Sequence, residues 1–100
     1  MKRLQRQISE STRVQNKRDE AETRWSGAET AWDAVTLVLA YDPEIGEPLN
    51  EAGTLRTFVL QGARSNDMPD IVVIYEDRNP TIEVIDVKYK DAGQYVRQVH

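Results

Sequence analysis

Five consecutive apolar residues constrain the fold of this 100-residue chain more than any other feature. Ile71 to Tyr75 read IVVIY, and an uninterrupted apolar run of this length is typical of a strand that is covered on both faces. A cluster of turn-forming residues, Glu76 to Pro80, comes next, and a second strand pattern then runs from Ile82 to Tyr89. This order predicts a β-hairpin.

A further strand and a helix are predicted before this hairpin. Thr54 to Leu60 is rich in β-branched and aromatic residues, which favour a strand. Ser26-Gly27-Ala28-Glu29 has the S-x-x-E spacing of a helix capping box, and the apolar pattern after it continues to Tyr41, where Asp42-Pro43 ends it. Residues 94–100 look like the start of another helix. The whole order predicts an α/β fold with a mixed sheet of at least three strands flanked by helices.

The first 25 residues differ in charge from the rest of the chain. They contain seven basic and four acidic side chains, a net charge of +3, whereas residues 26–100 sum to −7. Their apolar stripe is thin, so we predict a polar helical arm over residues 1–25 and a folded core over residues 26–100. An acidic core repels phosphate, and a divalent metal or a basic arm would have to offset that repulsion before nucleic acid could bind.

The amino-acid composition argues against several classes of catalytic and metal site. The chain has no cysteine and a single histidine, His100. A disulfide framework, a thiolate zinc site and a histidine-based catalytic triad are therefore not expected, and any reaction has to rest on carboxylates, lysine and hydroxyls. No apolar stretch approaches the roughly 20 residues of a membrane-spanning helix. We expect a cytoplasmic protein with no membrane partner, which the lack of cysteine fits.

Charged residues lie at the start of the first strand of the predicted hairpin and near the end of the second. Pro69-Asp70 directly precedes one strand, and Asp86-Val87-Lys88 lies late in the other. On a regular strand Asp86 and Lys88 would share a face with Ile82 and Val84. A three-residue turn over 78–80 would place Asp70 opposite Lys88 and bring the three charged residues together, whereas a two-residue turn would shift the register by one and separate them, unless a kink at Asp70 redirects its side chain.

This set of residues suits phosphodiester cleavage. Two neighbouring carboxylates stay ionised together when a cation such as Mg²⁺ or Mn²⁺ lies between them. The cation lowers the pKa of a bound water, and a lysine beside it stabilises the charge that develops on phosphate. We therefore predict Asp70, Asp86 and Lys88 as catalytic residues, with the metal held by Asp70, Asp86 and the backbone carbonyl of Val87.

The two motifs resemble those of the PD-(D/E)xK nuclease superfamily, over about residues 27–100. Lys88-Tyr89-Lys90 also looks like the nuclease subunit of McrBC-type restriction systems. The resemblance implies a restriction-endonuclease-like core that hydrolyses DNA through a metal-activated water. The family often supplies one acidic ligand from its first helix, which makes Glu29 a candidate third ligand, and the resemblance also implies that a last strand is missing from these residues. We therefore expect either a fragment of a longer protein or a chain whose fold is completed by a second copy (a homo-oligomer) or a partner chain.

Other interpretations of the same residues stay open. The capping box explains Glu29 without a metal, and we favour that explanation. Asp33 and Glu51 are fallback ligands. Asp70 could simply cap a turn, and Asp86 with Lys88 could form a solvated face of the hairpin. Trp25 and Trp32 are predicted to belong to the core. The alternative function is a binding or assembly module that keeps the nuclease fold without cutting.

Overall fold

The predicted hairpin lies within a five-stranded mixed sheet in the computed structural model, which describes residues 6–93. The strands are β1 (Gln7–Glu10), β2 (Glu47–Pro48), β3 (Leu55–Leu60), β4 (Asp70–Arg78) and β5 (Thr81–Lys90), and the helices are α1 (Thr12–Arg24) and α2 (Ala28–Tyr41). The spatial order is β1-β5-β4-β3-β2. β1 runs parallel to β5, and the other neighbours are antiparallel. The predicted α/β class and the three predicted strands are confirmed.

Both helices bury their apolar side chains against one face of the sheet. The expectation that the apolar run is covered on both faces is wrong, because Val72 and Ile74 alternate with buried neighbours and stay partly accessible. The core joins residues of α1, α2, β4 and β5: Val14, Ala31, Trp32, Val35, Leu39, Ile71, Val73, Tyr75, Ile82, Val84 and Val87. Burial of this apolar surface is the main force that holds the helices on the sheet.

The predicted polar helical arm over residues 1–25 packs against the core in its described part, residues 6–25. Ser11 caps α1 by accepting a hydrogen bond from the amide of Val14 at 3.2 Å. The Val14 side chain is fully buried, and Ala21 and Trp25 are buried as well. The thin apolar stripe is therefore sufficient, because it packs against β5 and α2.

β1 occupies an edge of the sheet that the sequence left without a predicted partner. It pairs with the first part of β5, from Gln7 opposite Thr81 to Glu10 opposite Val84. Beyond Val84 no strand among residues 6–93 pairs with that edge of β5. The second half of β5 therefore faces α1 instead of another strand.

The turn of the hairpin has two residues, Asn79 and Pro80, which is the alternative that shifts the register and separates Asp70 from Lys88. A β-bulge then shifts the register again, because Tyr75 pairs with Val84 while Ile74 pairs with Asp86. As a result Asp70 lies opposite Lys90 instead of Lys88.

The bulge also changes which side chains of β5 face the helices. Ile82 and Val84 are buried before it, and Val87 is buried after it. Asp86 and Lys88 therefore do not share a face with Ile82 and Val84, as a regular strand would require. The physical reason is that burial of the Val87 side chain is favourable, whereas burial of an aspartate and a lysine in its place would be costly.

The start of α2 is built differently from the predicted capping box. Gly27 is the N-cap residue and the helix begins at Ala28. Ser26 instead donates its amide and its hydroxyl to the carboxylate of Asp67, at 2.7 and 3.0 Å. The helix ends at Tyr41 as predicted. The further helix predicted for 94–100 lies outside the described residues.

None of the helices within residues 6–93 is long and apolar enough to cross a membrane.

Candidate functional site

Asp70 is a buried carboxylate at the first position of β4, with 1% of its surface exposed. Its Oδ1 accepts a hydrogen bond from the amide of Gly62 at 2.6 Å, and its Oδ2 accepts one from the amide of Gly93 at 3.2 Å. These two bonds compensate for the loss of hydration that burial of a charge entails. Asp70 therefore ties the loop before β4 to the residues that follow β5.

The two glycines that bind Asp70 occupy positions that other residues would not tolerate well. A Cβ at Gly62 would lie 2.2 Å from the carbonyl oxygen of Met68, and Gly93 has a φ of +94°. Arg64 adds a third link, since its Nε donates to the carbonyl oxygen of Ala92 at 2.8 Å. The surroundings of Asp70 favour a structural role in this arrangement.

Asp86 lies in a basic environment supplied by α1. Its Oδ1 accepts a hydrogen bond from the ammonium of Lys17 at 2.6 Å, and its Oδ2 lies 3.6 Å from a guanidinium nitrogen of Arg13. The hydrogen bond from Lys17 is the main reason why the pKa of Asp86 lies below its ordinary value. Asp86 is therefore an ionised carboxylate at neutral pH.

The Lys17 ammonium also contacts a second oxygen that the sequence analysis assigned to a metal. It donates to the backbone carbonyl of Val87 at 3.2 Å, in addition to Asp86. Two of the three predicted metal ligands therefore converge on one positive charge. A carboxylate and a carbonyl oxygen are also the donors that Mg²⁺ prefers, so Asp86 and Val87 fit a cation.

Asp70 does not join this pair. Asp86 lies opposite Ile74 in the hairpin, which is four residues from Asp70, or roughly 13 Å along the strand. Within residues 6–93 no group of three or more acidic or histidine side chains is close enough to hold a metal together. The three-ligand set predicted from sequence is therefore not assembled in this arrangement.

A groove of about 210 Å³ separates α1 from the second half of β5 and runs beside Asp86. Its basic lining residues are Lys17, Arg24 and Lys88, and Glu20 is the acidic one. The other lining residues are Ala21, Trp25, Val87 and Tyr89. Burial raises the pKa of Tyr89 to about 12, so its hydroxyl is protonated at neutral pH and adds no negative charge to the groove.

Two cations of this groove lack an acidic partner. Lys88 is exposed, and no hydrogen bond or ion pair joins it to another residue in the described part of the chain. Arg24 likewise has no such bond there, but its guanidinium lies 4.3 Å from the centre of the Trp25 ring. Trp25 is itself buried and stacks on Tyr89, so it gives Arg24 a fixed support.

The remaining predicted residues lie apart from this groove or inside the core. Glu29 is in the first turn of α2 and is exposed. Asp33 and Glu51, the fallback ligands, are exposed as well. None of the three lines the groove beside Asp86. The prediction that Trp25 and Trp32 belong to the core is confirmed, since 7% and 3% of their surfaces are exposed.

The contribution of α1 to the site was not predicted from the sequence. Arg13, Lys17 and Arg24 follow one another at intervals of four and seven residues, which places them on one side of a helix. Glu20 lies on the same side. This spacing predicts a helix with one basic side. It does not show which element that side faces, and the structure shows that it faces β5.

No model of a known protein family matches the chain, and no curated protein matches it either.

Proposed function

We propose that the chain is a metal-dependent nuclease of the PD-(D/E)xK type that hydrolyses phosphodiester bonds of DNA. The observation that supports this most directly is the convergence of Asp86 Oδ1 and the Val87 carbonyl oxygen on a single cation, the Lys17 ammonium. The two oxygens belong to the D-x-K motif, and the lysine of that motif lines the same groove.

Each residue of the motif has a role in this proposal. Asp86 and the carbonyl of Val87 would hold Mg²⁺ or Mn²⁺, and the metal would supply a Lewis acid and a bound water of lowered pKa. Lys88 is exposed beside them and carries a positive charge that can stabilise the phosphate as negative charge develops. Lys17 has to leave Asp86 before a metal can take its place.

Asp70 is the residue that fits this proposal least. Its carboxylate oxygens are directed to the amides of Gly62 and Gly93, and a role as metal ligand would require those bonds to rearrange. This placement favours the second candidate function, a module that binds nucleic acid or a partner without cutting. The two candidates share the groove and differ in whether Asp86 acts on a phosphate.

The broader expectations belong to the same proposal. They are a restriction-endonuclease-like core, a DNA substrate, a homo-oligomer or a partner chain, and a cytoplasmic location.

A plasmid-nicking assay separates the two candidate functions. The wild-type chain should nick supercoiled DNA with Mg²⁺ and be inactive with a chelator. Asp86→Asn and Lys88→Met should each lose the activity, since each removes a charge at the reacting phosphate. The matched control is Arg78→Met, at the opposite end of the hairpin, which should cut like the wild type. A wild-type chain that binds DNA but never nicks it would establish the binding module instead.

A further inference from the structure

The groove between α1 and β5 contains cations that the folded chain leaves without acidic partners. The described cations elsewhere have a partner: for example, Arg6 pairs with Asp77, Arg18 with Glu10 and Arg78 with Glu76. Arg56 and Arg64 bond only to backbone carbonyls. Arg24 and Lys88 are the cations within residues 6–93 with neither a hydrogen bond nor an ion pair, and both line this groove. In a chain with a net charge of −4, two cations that line one groove without a hydrogen-bond or ion-pair partner indicate a site for an external anion.

We infer that this groove binds the sugar-phosphate backbone of a nucleic acid, with Arg24 as a positioning residue that holds a second phosphate, further along the same strand than the one facing Asp86. The inference rests on the proposed function for its substrate, but it assigns a role to α1 that the D-x-K motif does not contain.

The geometry of α1 suits a polyanion better than a single phosphate. Lys17 and Arg24 are seven residues apart on one side of the helix, which is two turns or roughly 10 Å. That length is about three times the axial rise between successive phosphates of one strand of a duplex. Lys88 lies on the opposite wall of the same groove, so the three cations line a path instead of forming one point of charge.

Arg24 is held in a position to bind. Its guanidinium rests on the buried Trp25 ring at 4.3 Å, while its hydrogen-bond donors have no acceptor among residues 6–93. A guanidinium presents several donors in a fixed plane that matches phosphate oxygens. Because the stacking restricts the side chain in advance, less conformational entropy is lost when a phosphate binds.

Lys17 connects this path to Asp86. Its side chain lines the groove and is 37% exposed, while its ammonium bonds to Asp86. A phosphate that binds between Arg24 and Lys88 offers Lys17 a second acceptor. The substrate would then draw Lys17 away from Asp86 and from the carbonyl of Val87, which are the two oxygens proposed to hold the metal.

The test is the binding of a short fluorescein-labelled DNA duplex, followed by fluorescence anisotropy at several salt concentrations with a chelator present. Arg24→Gln should weaken binding and reduce the magnitude of the slope of log affinity against log salt by about 1, which is the effect of losing one phosphate contact. Arg24→Lys keeps the charge and should restore most of that slope. The matched control is Arg78→Gln, which removes the same charge at the hairpin turn, roughly 23 Å along β5 from Lys88.

Two results would overturn the inference. In the first, Arg24→Gln and Arg78→Gln change affinity and salt slope equally, so that only net charge matters. In the second, millimolar inorganic phosphate at constant ionic strength displaces the duplex completely, so that the site takes a free phosphate. Circular dichroism melts of each variant would establish that the folded state is being compared.

The chelator separates this inference from the proposed function, because no cutting is possible in its presence. DNA binding that depends on Arg24 in a chain that never nicks would disprove the nuclease and leave the groove assignment intact. Nicking that does not depend on Arg24 would support the nuclease and disprove the role of Arg24 in the groove.

Discussion

Lys17 Nζ lies 2.6 Å from Asp86 Oδ1, and these residues are 69 positions apart in the chain. The same ammonium reaches the carbonyl oxygen of Val87 at 3.2 Å. α1 thereby places a positive charge at the point where the D-x-K motif directs two oxygens. The ion pair has two consequences: it stabilises the contact between α1 and β5, and it competes with any metal that binds there.

The competition predicts that removal of Lys17 improves metal binding. Lys17→Met should bind Mn²⁺ about fivefold more tightly than the wild type in the absence of DNA, because a partly exposed ion pair contributes about 1 kcal/mol at most. Isothermal titration calorimetry measures this directly. Arg78→Met is the control and should leave the affinity unchanged. Equal or weaker binding by Lys17→Met would mean that the metal does not use the oxygens that Lys17 occupies.

The ion pair also predicts how stability depends on pH. The pKa of Asp86 in the folded chain lies below its ordinary value of 3.8, chiefly because of the hydrogen bond from Lys17. A lowered folded-state pKa gives stability that is fully present above the unfolded-state pKa and is lost as pH falls through the folded-state value.

The stability difference between wild type and Asp86→Asn should therefore be constant near neutral pH and shrink below about pH 3.8, in urea denaturation at a series of pH values. In a Lys17→Met background the same difference should be smaller, and what remains should come from the Val87 amide and from Arg13, which also lower the pKa of Asp86. A difference that grows as the pH falls would have the wrong sign for this ion pair.

Asp70 should prove important for stability. Asp70→Ala removes acceptors from the amides of Gly62 and Gly93 and should cost about 2 kcal/mol of unfolding free energy. Asp70→Asn retains one acceptor and should cost about half as much. Asp33→Ala, on the exposed surface of α2, is the control and should stay within about 0.5 kcal/mol of the wild type. If Asp70→Ala were instead more stable than the wild type, the carboxylate would destabilise the metal-free fold, as expected of a metal ligand.

The packing of α1 predicts that the N-terminal segment unfolds together with the sheet. Val14→Ala creates a cavity at a fully buried position and should cost about 2 kcal/mol. Gln15→Ala changes the neighbouring exposed residue and should cost almost nothing. Thermal melts of both variants provide the measurement. A Val14→Ala variant as stable as the wild type would mean that α1 does not contribute to the stability of the core.

The sequence was informative where a hydrophobic pattern was long and unambiguous. The helix that ends at Tyr41 and the three strands from Leu55 to Lys90 are present much as predicted. β1 was missed because its four residues, QISE, contain a single apolar side chain and owe their conformation to pairing with β5. A strand this short depends on its partner more than on local propensity.

The candidate site was only partly predictable for a different reason. In IEVIDVKY either Asp86 and Lys88 or Val87 and Tyr89 can continue the inward pattern of Ile82 and Val84. A single bulge decides between them, and the decision depends on which side chains the helices bury. The contact between Lys17 and Asp86 follows from that packing, so no local pattern in either segment could reveal it.

The central claim is that a divalent cation binds at Asp86 and the carbonyl of Val87. NMR spectra of the ¹⁵N-labelled chain with increasing substoichiometric Mn²⁺ test it without relying on activity. We predict selective broadening of the amide signals of Asp86, Val87, Lys88 and Lys17, with the effect abolished in Asp86→Asn. Broadening centred on Gly62 and Gly93, beside Asp70, or no selective broadening at all, would contradict the account.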